Sequence, residues 1–347
     1  MMGRAGKKMN RKYTVAVAGA TGAVGVEMLK VLEERKFPVG TLKLLASSRS
    51  VGKKMKFHGE DITVEELTHD SFKGVDIALF SAGASISKEF RQSVVDAGAV
   101  MIDNSSAFRM EADVPLIIPE VNPEDVKWHR GVISNPNCST TIMLVPVAPL
   151  HRAFGLKRLV VSTYQATSGA GAKGMQELIE QTRTVQDGGA AVPSVFAHQI
   201  AFNLIPHIDV FLDNGYTKEE MKMLNESRKM LHHDKLMVSC TCVRVPVMRA
   251  HSESLNMQFE KTVTPDTVRE ILKSSPGVKL VDDPANKLYP MPIDASGHSD
   301  VLVGRIRQDV SVADGTSIDM FISGDQVLKG AALNTVQIAE LVAGQNA

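Results

Sequence analysis

Cys138 has the sequence surroundings of a reactive thiol. It lies in the run Ser134-Asn135-Pro136-Asn137-Cys138-Ser139-Thr140-Thr141, just before an apolar stretch over 142–150 that reads as a buried helix. Proline interrupts what precedes it, and Asn, Ser and Thr favour a helix start, so the sulfur is expected near a helix N-terminus. There the free N–H groups and the helix dipole favour the thiolate and lower a thiol pKa of about 8.5. The alternative interpretation is a buried, inert cysteine.

Three polar residues further along the chain are candidates to assist a thiolate. Gln165 ends a β-rich run and is followed by small residues, and its amide can orient a carbonyl without competing for a proton. Strand alternation over 238–247 places Arg244 on one face with Cys240 and Cys242. Pro246 indicates an edge or a bend, which directs His251 toward the same cleft as a general acid and base. A solvated Gln and a structural His are the plain alternatives.

The elements that must position these residues begin with a nucleotide loop. Residues 13–18 form a short β-branched run, Gly19-x-x-Gly22-x-x-Gly25 follows, and an amphipathic helix is predicted over 26–36. Glycines allow backbone N–H groups to approach a pyrophosphate, and the helix directs its positive end at that charge. The strand, loop and helix therefore predict dinucleotide binding, with a merely structural tight turn as the alternative.

The end of the second predicted strand, 41–46, favours NADP over NAD. An NAD enzyme carries Asp or Glu there for the ribose 2′-hydroxyl. This chain instead has Ser47-Ser48-Arg49-Ser50 with Lys53 and Lys54 close behind, hydroxyls and cations that suit a 2′-phosphate. A solvated basic turn would look the same.

The remaining pattern predicts an α/β protein of two parts. Strands at 75–81 and 99–102 with a helix at 87–97 between them continue a parallel sheet. From about Leu156 the runs 157–165, 236–247, 251–259 and 301–308 indicate a mostly antiparallel or mixed sheet. A helix is predicted over 326–343, and a terminal helix of this kind often packs back on the first domain.

Composition limits the partner and the setting. The chain has 347 residues, 44% of them hydrophobic, and 39 basic residues balance 39 acidic ones without long runs of one sign. That balance argues against nucleic-acid or membrane-surface binding and for a small-molecule partner. Three cysteines make no disulfide framework, and the Cys240-x-Cys242 pair lacks the further ligands of a zinc site, so a reduced, intracellular setting without a metal is expected. Residues 1–12 are basic without an apolar stretch and read as a disordered tail rather than a signal or an anchor.

Six sequence blocks, taken together, resemble the aspartate-semialdehyde dehydrogenase family. They follow one another at compatible intervals: GATGAVG at 19–25, SSAFRM around Arg109, SNPNCSTT around Cys138, YQATSGAG around Gln165, EEMKMLNESRK around Lys222, and RVPVMRAHSE at 244–253. The resemblance implies an N-terminal Rossmann-like NADP-binding domain, residues 13–137, completed by the C-terminal helix 325–347. An α+β catalytic and dimerisation domain with a mixed sheet, residues 138–324, would follow.

The resemblance also implies a reaction and a set of roles. NADPH would reductively dephosphorylate L-aspartyl 4-phosphate to L-aspartate 4-semialdehyde, on the path to lysine, methionine and threonine. Cys138 would form a thioester, His251 would act as general acid and base, and Gln165 would orient the reacting group. Arg244 would bind the substrate carboxylate and Glu219 its ammonium, while the phosphate site would comprise Arg109, Asn137 and Lys222.

For the coenzyme, the family positions lie in both predicted domains. They are Gly19, Thr21, Gly22, Ala23, Val24, Gly25, Arg49, Ser50, Ser168, Gly169 and Gln326. The family further implies a cytoplasmic homodimer or homotetramer.

Two other functions remain open from the sequence. A related reductase of N-acetylglutamyl phosphate shares the architecture and the thiol chemistry, but its cysteine is flanked by Gly and Tyr, whereas Asn137 and Ser139 flank Cys138 here. A catalytically inactive, regulatory NADP-binding protein is the second alternative. The retained Cys138, Gln165, Arg244 and His251 count against it.

Overall fold

The structure, a computed structural model, describes residues 11–345 of the chain. Most of the basic segment predicted as a disordered tail lies outside these residues. The described chain divides into two compact units. The first runs to Pro136 and resumes at Ala331, and the second is Asn137–Gly330. The predicted domain bounds, 13–137 with 325–347 and 138–324, stay a prediction.

The first unit is an alternation of strands and helices. Its elements along the chain are β1 (Tyr13–Ala18), α1 (Ala23–Glu34), β2 (Val39–Ala46), β3 (Lys54–Phe57), β4 (Glu60–Glu66), β5 (Ile77–Phe80), α2 (Ala84–Asp96), β6 (Val100–Asp103) and β7 (Val132–Ser134). The sheet has the order β3-β4-β2-β1-β5-β6-β7, parallel throughout except for β3 against β4. Apart from Thr14 near its start, β1 is buried, as expected for a central parallel strand covered on both faces.

The order of these strands locates a ligand crevice. From β1 the chain adds β2 on one side and later β5 on the other, so the connections leave β1 in opposite directions. At such a switch point the carboxyl ends of the two neighbouring strands leave a cleft, which is where open α/β sheets bind ligands. Gly19 and Ser81 follow these two strand ends.

The second unit is built on a six-stranded mixed sheet. Its elements are α3 (Cys138–Phe154), β8 (Leu156–Gln165), α4 (Gly171–Gln186), α5 (Lys218–Met230), β9 (Met237–Arg244), β10 (His251–Phe259), α6 (Pro265–Lys273), β11 (Val278–Leu280), α7 (Pro292–Ala295), β12 (Val301–Gln308) and β13 (Ser317–Gly324). The order is β11-β12-β13-β10-β8-β9. The outer pairs are parallel and the central pairs antiparallel, so the predicted mixed sheet is confirmed.

The last helix, α8 (Leu333–Gln345), belongs to the first unit. The Tyr13 hydroxyl donates a hydrogen bond to the Ala343 carbonyl at 3.1 Å, and Arg35 makes two hydrogen bonds with Glu340 at 2.7 and 2.8 Å. The predicted start of this helix was wrong. Residues 328–332 form a π-helical turn before the α-helix, and Asp325 accepts the N–H groups of Val327 and Leu328.

Several other predicted boundaries need correction. Helix α2 is Ala84–Asp96 rather than 87–97, and strand β2 begins at Val39 rather than 41. Helix α1 begins at Ala23 rather than 26, because the loop already turns into the helix at Gly22. Strand β9 ends at Arg244 rather than 247. The chain turns at Pro246, where the Val247 N–H donates to the Val245 carbonyl. Within residues 11–345 no helix is long and apolar enough to span a membrane, and no cluster of three metal-binding side chains occurs.

Candidate active site

The three glycines of the loop after β1 have different structural roles. Gly19 has φ +81°, and a Cβ there would lie 2.3 Å from the Ser81 carbonyl oxygen. A Cβ on Gly25 would lie 2.4 Å from the Gly19 oxygen, so Gly25 allows α1 to pack closely on the loop. Gly22 has an ordinary φ of −78°, and its nearest neighbour would be 3.3 Å away. Gly22 therefore leaves the open surface that a phosphate can approach.

The N-terminus of α1 supplies donors to the same place. Gly22 is its N-cap, and the helical hydrogen bonds start with Val26 N–H to the Gly22 carbonyl at 2.9 Å. The amides of Ala23, Val24 and Gly25 precede that bond and lie at the positive end of the helix dipole. These residues fit the pyrophosphate of a dinucleotide.

A cavity of about 500 Å³ continues from the loop to the end of β2. Its lining includes Gly19, Thr21, Gly22, Ser47 and Arg49. The Thr21 and Ser50 hydroxyls lie 3.4 Å apart, which joins the loop to the short turn that carries Arg49. Glu89 of α2 also lines the cavity, and no motif of the sequence placed an acidic residue there.

Cys138 is the first residue of α3 in the second unit, so its predicted place near a helix N-terminus is confirmed, although the helix is longer than the predicted 142–150. The N-cap is Asn137, whose side-chain oxygen accepts the N–H groups of Ser139 at 3.0 Å and Thr140 at 3.2 Å. Gly330 faces the sulfur-bearing carbon, because a Cβ on this glycine would lie 2.8 Å from the Cys138 Cβ. The thiol therefore lies at the dipole-favoured end of a capped, 17-residue helix.

Three neighbouring strands bring Gln165, Arg244 and His251 to one end of the second sheet. Strands β8 and β9 are parallel, and Gln165 pairs with Arg244 at their carboxyl ends. Strand β10 runs antiparallel to β8 and begins at His251, next to the Ser252–Tyr164 pair. All three predicted residues are buried. Strand pairing thus brings together residues that are up to 86 positions apart in the sequence.

The hydrogen bonding of His251 defines its tautomer. Its Nδ1 accepts the Ala166 N–H at 3.0 Å, so the proton of the neutral ring belongs on Nε2. That Nε2 is buried and makes no hydrogen bond within the described chain. Burial lowers the pKa of His251 well below 6.5, and the nearby Arg244 cation lowers it further. His251 is therefore neutral near pH 7, with Nε2–H available to a ligand.

Arg244 is a buried cation held on several sides. Its Nη1 donates to the Ala166 carbonyl at 2.7 Å, and a Cβ on Gly169 would lie 2.7 Å from the same nitrogen. Burial lowers the pKa of Arg244, and negative charge on Cys138 and on Glu219 opposes that shift. A guanidinium stays protonated under such a shift. The Arg244 guanidinium can form a bidentate pair with a carboxylate, and its charge also favours the thiolate form of Cys138.

One face of α5 supplies the remaining polar groups. Glu219 Oε1 accepts from Asn137 Nδ2 at 2.9 Å and from Gln165 Nε2 at 3.2 Å, and Oε2 accepts from Lys222 Nζ at 2.9 Å. Burial alone would raise the pKa of Glu219, but the charge and hydrogen bond of Lys222 outweigh it and lower the pKa. Burial likewise opposes the Lys222 charge, and Glu219 and Asp209 raise its pKa. This cluster is therefore ionised.

The remaining predicted site residues are divided between the two units. Arg109 belongs to the first unit, where its Nε donates to the Asn135 carbonyl at 3.0 Å and its Nη2 to the Asn104 carbonyl at 2.9 Å. In the second unit Gln326 donates to the Ser168 hydroxyl and accepts the Ala250 N–H at 2.9 Å. Gly169 faces Arg244 and His251.

Sequence reasoning missed two acidic partners of this site. Glu226 accepts the backbone N–H of Asn137 at 2.7 Å, and Asp209 accepts from Lys222 Nζ at 2.9 Å. The spacing of Glu219, Lys222 and Glu226 at i, i+3 and i+7 would have placed Glu226 on the same helix face. Nothing in the sequence pattern indicates Asp209.

Comparison with known proteins identifies the family. Residues 14–129 match the family described as semialdehyde dehydrogenase, NAD binding domain, and residues 147–329 match semialdehyde dehydrogenase, dimerisation domain. An aspartate-semialdehyde dehydrogenase of Aquifex aeolicus is 55% identical over 335 residues, 95% of this chain and 98% of that protein. The chain belongs to the aspartate-semialdehyde dehydrogenase family. The resemblance carried by the six sequence blocks is therefore confirmed.

Further aspartate-semialdehyde dehydrogenases agree in sequence and structure. That of Campylobacter jejuni is 52% identical over 338 residues, covering 96% of this chain and 98% of that protein. The crystal structure of aspartate semialdehyde dehydrogenase II from Vibrio cholerae complexed with ASA has a TM-score of 0.93 and 45% identity, covering 96% of this chain and 98% of that one. The Candida albicans enzyme, solved with NADP, has a TM-score of 0.76 and 25% identity, covering 97% and 99%. The predicted fold class, with a nicotinamide-nucleotide-binding first domain and a dimerisation domain, is confirmed.

Proposed function

We propose that this protein is an aspartate-semialdehyde dehydrogenase. It converts L-aspartyl 4-phosphate, NADPH and a proton into L-aspartate 4-semialdehyde, NADP⁺ and phosphate, in the biosynthesis of lysine, methionine and threonine. The observation that carries the proposal is the second unit's cluster, in which the capped helix start at Cys138 faces the strand ends bearing Gln165, Arg244 and His251. Membership in a family whose members carry this name supports it.

Cys138 is the nucleophile. Its sulfur attacks the acyl carbon of the substrate, the acyl–oxygen bond to phosphate breaks, and a thioester forms on the enzyme. The helix start and the Arg244 cation favour the anionic sulfur that this attack requires. Gln165, fixed by the Thr163 hydroxyl at 3.1 Å and by Glu219, holds the reacting group in place.

His251 handles the proton at the reacting oxygen. The neutral ring presents Nε2–H, which stabilises negative charge as it develops on the acyl oxygen. Once the thioester has been reduced, the oxyanion takes the Nε2 proton and becomes the thiohemiacetal hydroxyl. As the carbon–sulfur bond breaks, that hydroxyl returns the proton to Nε2 and the sulfur leaves as a thiolate, so His251 acts first as general acid and then as general base. The Ala166 N–H keeps the ring oriented through both steps.

The substrate's two charged ends meet groups of opposite charge. Arg244 binds the α-carboxylate, and the ionised Glu219 binds the ammonium. Glu219 already accepts three hydrogen bonds, but a carboxylate has about four acceptor positions and can take one more donor. Asn137 and Lys222 bind the phosphate, and the family resemblance adds Arg109.

The coenzyme is NADP. When bound, it supplies the hydride that reduces the thioester. The Gly22 surface, the first-turn amides of α1 and the cavity toward Arg49 fit a dinucleotide, and Arg49 with Ser50 fits a 2′-phosphate. The family resemblance also assigns Ser168, Gly169 and Gln326 of the second unit to coenzyme binding.

We further propose a cytoplasmic homodimer or homotetramer that assembles through the second unit. The match of residues 147–329 to a dimerisation domain supports this assembly. Size-exclusion chromatography with light scattering measures it directly.

Initial rates test the proposal as a whole. The unaltered protein is assayed with aspartate semialdehyde, phosphate and NADP⁺, and in parallel with N-acetylglutamate semialdehyde and with NAD⁺. Turnover of aspartate semialdehyde with NADP⁺ is expected. Preference for the N-acetylglutamyl substrate would instead assign the related reductase, and NADP⁺ binding without any turnover would assign a regulatory protein.

A further inference from the structure

A segment without helix or strand, residues 194–205, lies against Arg244 in the second unit. We define it as the strap. We infer that the strap is a specificity element of the proposed site: Phe196 positions the Arg244 guanidinium for the substrate carboxylate, and α4 holds the strap in place. The inference rests on the proposed function and adds to it residues that act through Arg244.

The strap contacts Arg244 through both backbone and side chain. Ile205 N–H donates to the Arg244 carbonyl at 3.0 Å, and Arg244 N–H donates to the Ile205 carbonyl at 2.8 Å. The strap thereby adds one antiparallel bridge to β9, which is the edge strand of its sheet. The Arg244 guanidinium carbon lies 5.8 Å from the centre of the Phe196 ring, within the range of a cation–π interaction.

The ring of Phe196 completes a set of contacts that leaves the guanidinium little freedom. Ala166 accepts one of its N–H groups at 2.7 Å, and Gly169 approaches the same nitrogen. Gly174 of α4 makes room for the aromatic ring, because a Cβ there would lie 3.1 Å from Phe196 Cζ. A guanidinium held in this way loses less rotational freedom when it binds a carboxylate in a bidentate manner.

Two buried polar residues of α4 fix the strap. Glu177 accepts the Ser194 N–H at 3.1 Å, the Ser194 hydroxyl at 2.9 Å and the Val195 N–H. One turn later, Gln181 accepts the N–H groups of Ile200 at 2.8 Å and Ala201 at 3.2 Å, and it donates to Glu177 at 2.8 Å. These bonds satisfy the backbone of a segment that has few such bonds of its own.

Apolar contacts also hold the strap to α4. Ile200, Ala201 and Ile205 form a buried cluster with Leu178 of α4, and Phe196 packs against it. Glu177 and Leu178 are adjacent on α4, so polar and apolar contacts hold the same segment to the same helix. The strap is thus fixed on α4 and delivers Phe196 to Arg244.

The test compares Phe196→Leu with Phe202→Leu, a control in the same strap whose side chain is 65% exposed. Phe196→Leu removes the aromatic face but keeps an apolar side chain. We expect the KM for aspartate semialdehyde to rise roughly three- to thirtyfold, the range of a cation–π contact. The kcat and the KM values for phosphate and NADP⁺ should stay within about twofold, and the control should match the unaltered protein.

A second pair covers the case in which Phe196→Leu fails to fold. Glu177→Gln places an amide N–H against the donors of the strap, whereas Glu180→Gln changes an exposed carboxyl of the same helix. Glu177→Gln should raise the same KM selectively, and Glu180→Gln should not. An unchanged KM, or an equal loss in all parameters, would overturn the positioning role. Absence of turnover by the unaltered protein would instead overturn the proposed function itself.

Discussion

His251 Nδ1 accepts the backbone N–H of Ala166 at 3.0 Å, and the proton of the neutral ring therefore lies on Nε2. Ala166 follows Gln165 at the end of β8, so one strand end both carries an orienting amide and fixes the ring of the acid–base residue. The same residue's carbonyl accepts Arg244 Nη1. Ala166 thus positions two of the proposed active-site residues through its backbone, independently of its own side chain.

Replacing His251 separates its structural hydrogen bond from its chemistry. The Oδ1 of His251→Asn can still accept the Ala166 N–H, but nothing replaces Nε2. We expect kcat to fall by roughly 10² to 10⁴, with a melting temperature close to that of the unaltered protein. His251→Ala should lose similar activity and also lower the melting temperature. A loss of less than tenfold in the Asn variant would show that another group moves the proton.

Gly22 tests coenzyme binding without disturbing the fold. The φ of −78° suits alanine, and the nearest atom to its Cβ is 3.3 Å away, so Gly22→Ala should fold. The added methyl occupies the surface proposed for the pyrophosphate, and we expect the Kd for NADPH to rise about tenfold or more. Gly19→Ala should lower the melting temperature instead, because φ is +81° and the added Cβ would lie 2.3 Å from the Ser81 carbonyl oxygen. Fluorescence titration and thermal melts measure both, and native NADPH affinity in Gly22→Ala would place the pyrophosphate elsewhere.

Arg49 tests the preference for NADP. If its guanidinium binds the 2′-phosphate, Arg49→Ala removes a charged hydrogen bond that stabilises the NADP⁺ complex by about 1.5–3 kcal/mol. The kcat/KM for NADP⁺ should fall roughly 10- to 100-fold, while that for NAD⁺, which lacks the phosphate, should change less than about twofold. Equal losses with both coenzymes would mean that Arg49 does not discriminate between them.

Glu253 predicts a pH dependence of stability. It is fully buried in β10, and within the described chain both carboxyl oxygens lack hydrogen-bond partners. Burial raises its pKa well above the ordinary 4.5, and Cys242 raises it further. Because the folded protein keeps the proton that the unfolded chain releases, stability is complete below about pH 4.5 and declines as the pH rises toward the folded-state pKa.

Glu253→Gln should remove that decline. We expect its melting temperature at pH 8 to exceed that of the unaltered protein by about 2 °C or more, with the difference shrinking toward pH 4.5. Glu260→Gln, an exposed carboxyl just beyond the same strand, is the control and should change neither value. A difference that does not vary with pH would mean that Glu253 is already ionised in the folded protein.

Local pattern was sufficient for much of the fold. Strands β1, β10 and β12 have the predicted bounds, because alternating or β-branched runs bordered by turn residues carry their own limits. The position of Cys138 near a helix N-terminus followed from a proline and helix-starting residues, although the helix itself was predicted only from residue 142. The contact of Phe196 with Arg244 could not be predicted, since it joins segments 48 positions apart. The bond of Asp209 to Lys222 could not be predicted either, because Asp209 lies in an irregular segment whose path no periodicity sets. The burial of Glu253 could not be predicted either, because it depends on the elements that pack over the sheet.

The thioester mechanism is tested most directly by observing the acyl group on Cys138. The protein is mixed with aspartate semialdehyde and NADP⁺ in the absence of phosphate, and then digested for mass spectrometry. We predict an aspartyl adduct on the peptide containing Cys138, about one NADPH formed per chain, and no adduct on Cys240 or Cys242, which are buried and serve as internal controls. NADPH formation without that adduct, or an adduct on another residue, would contradict the thioester mechanism.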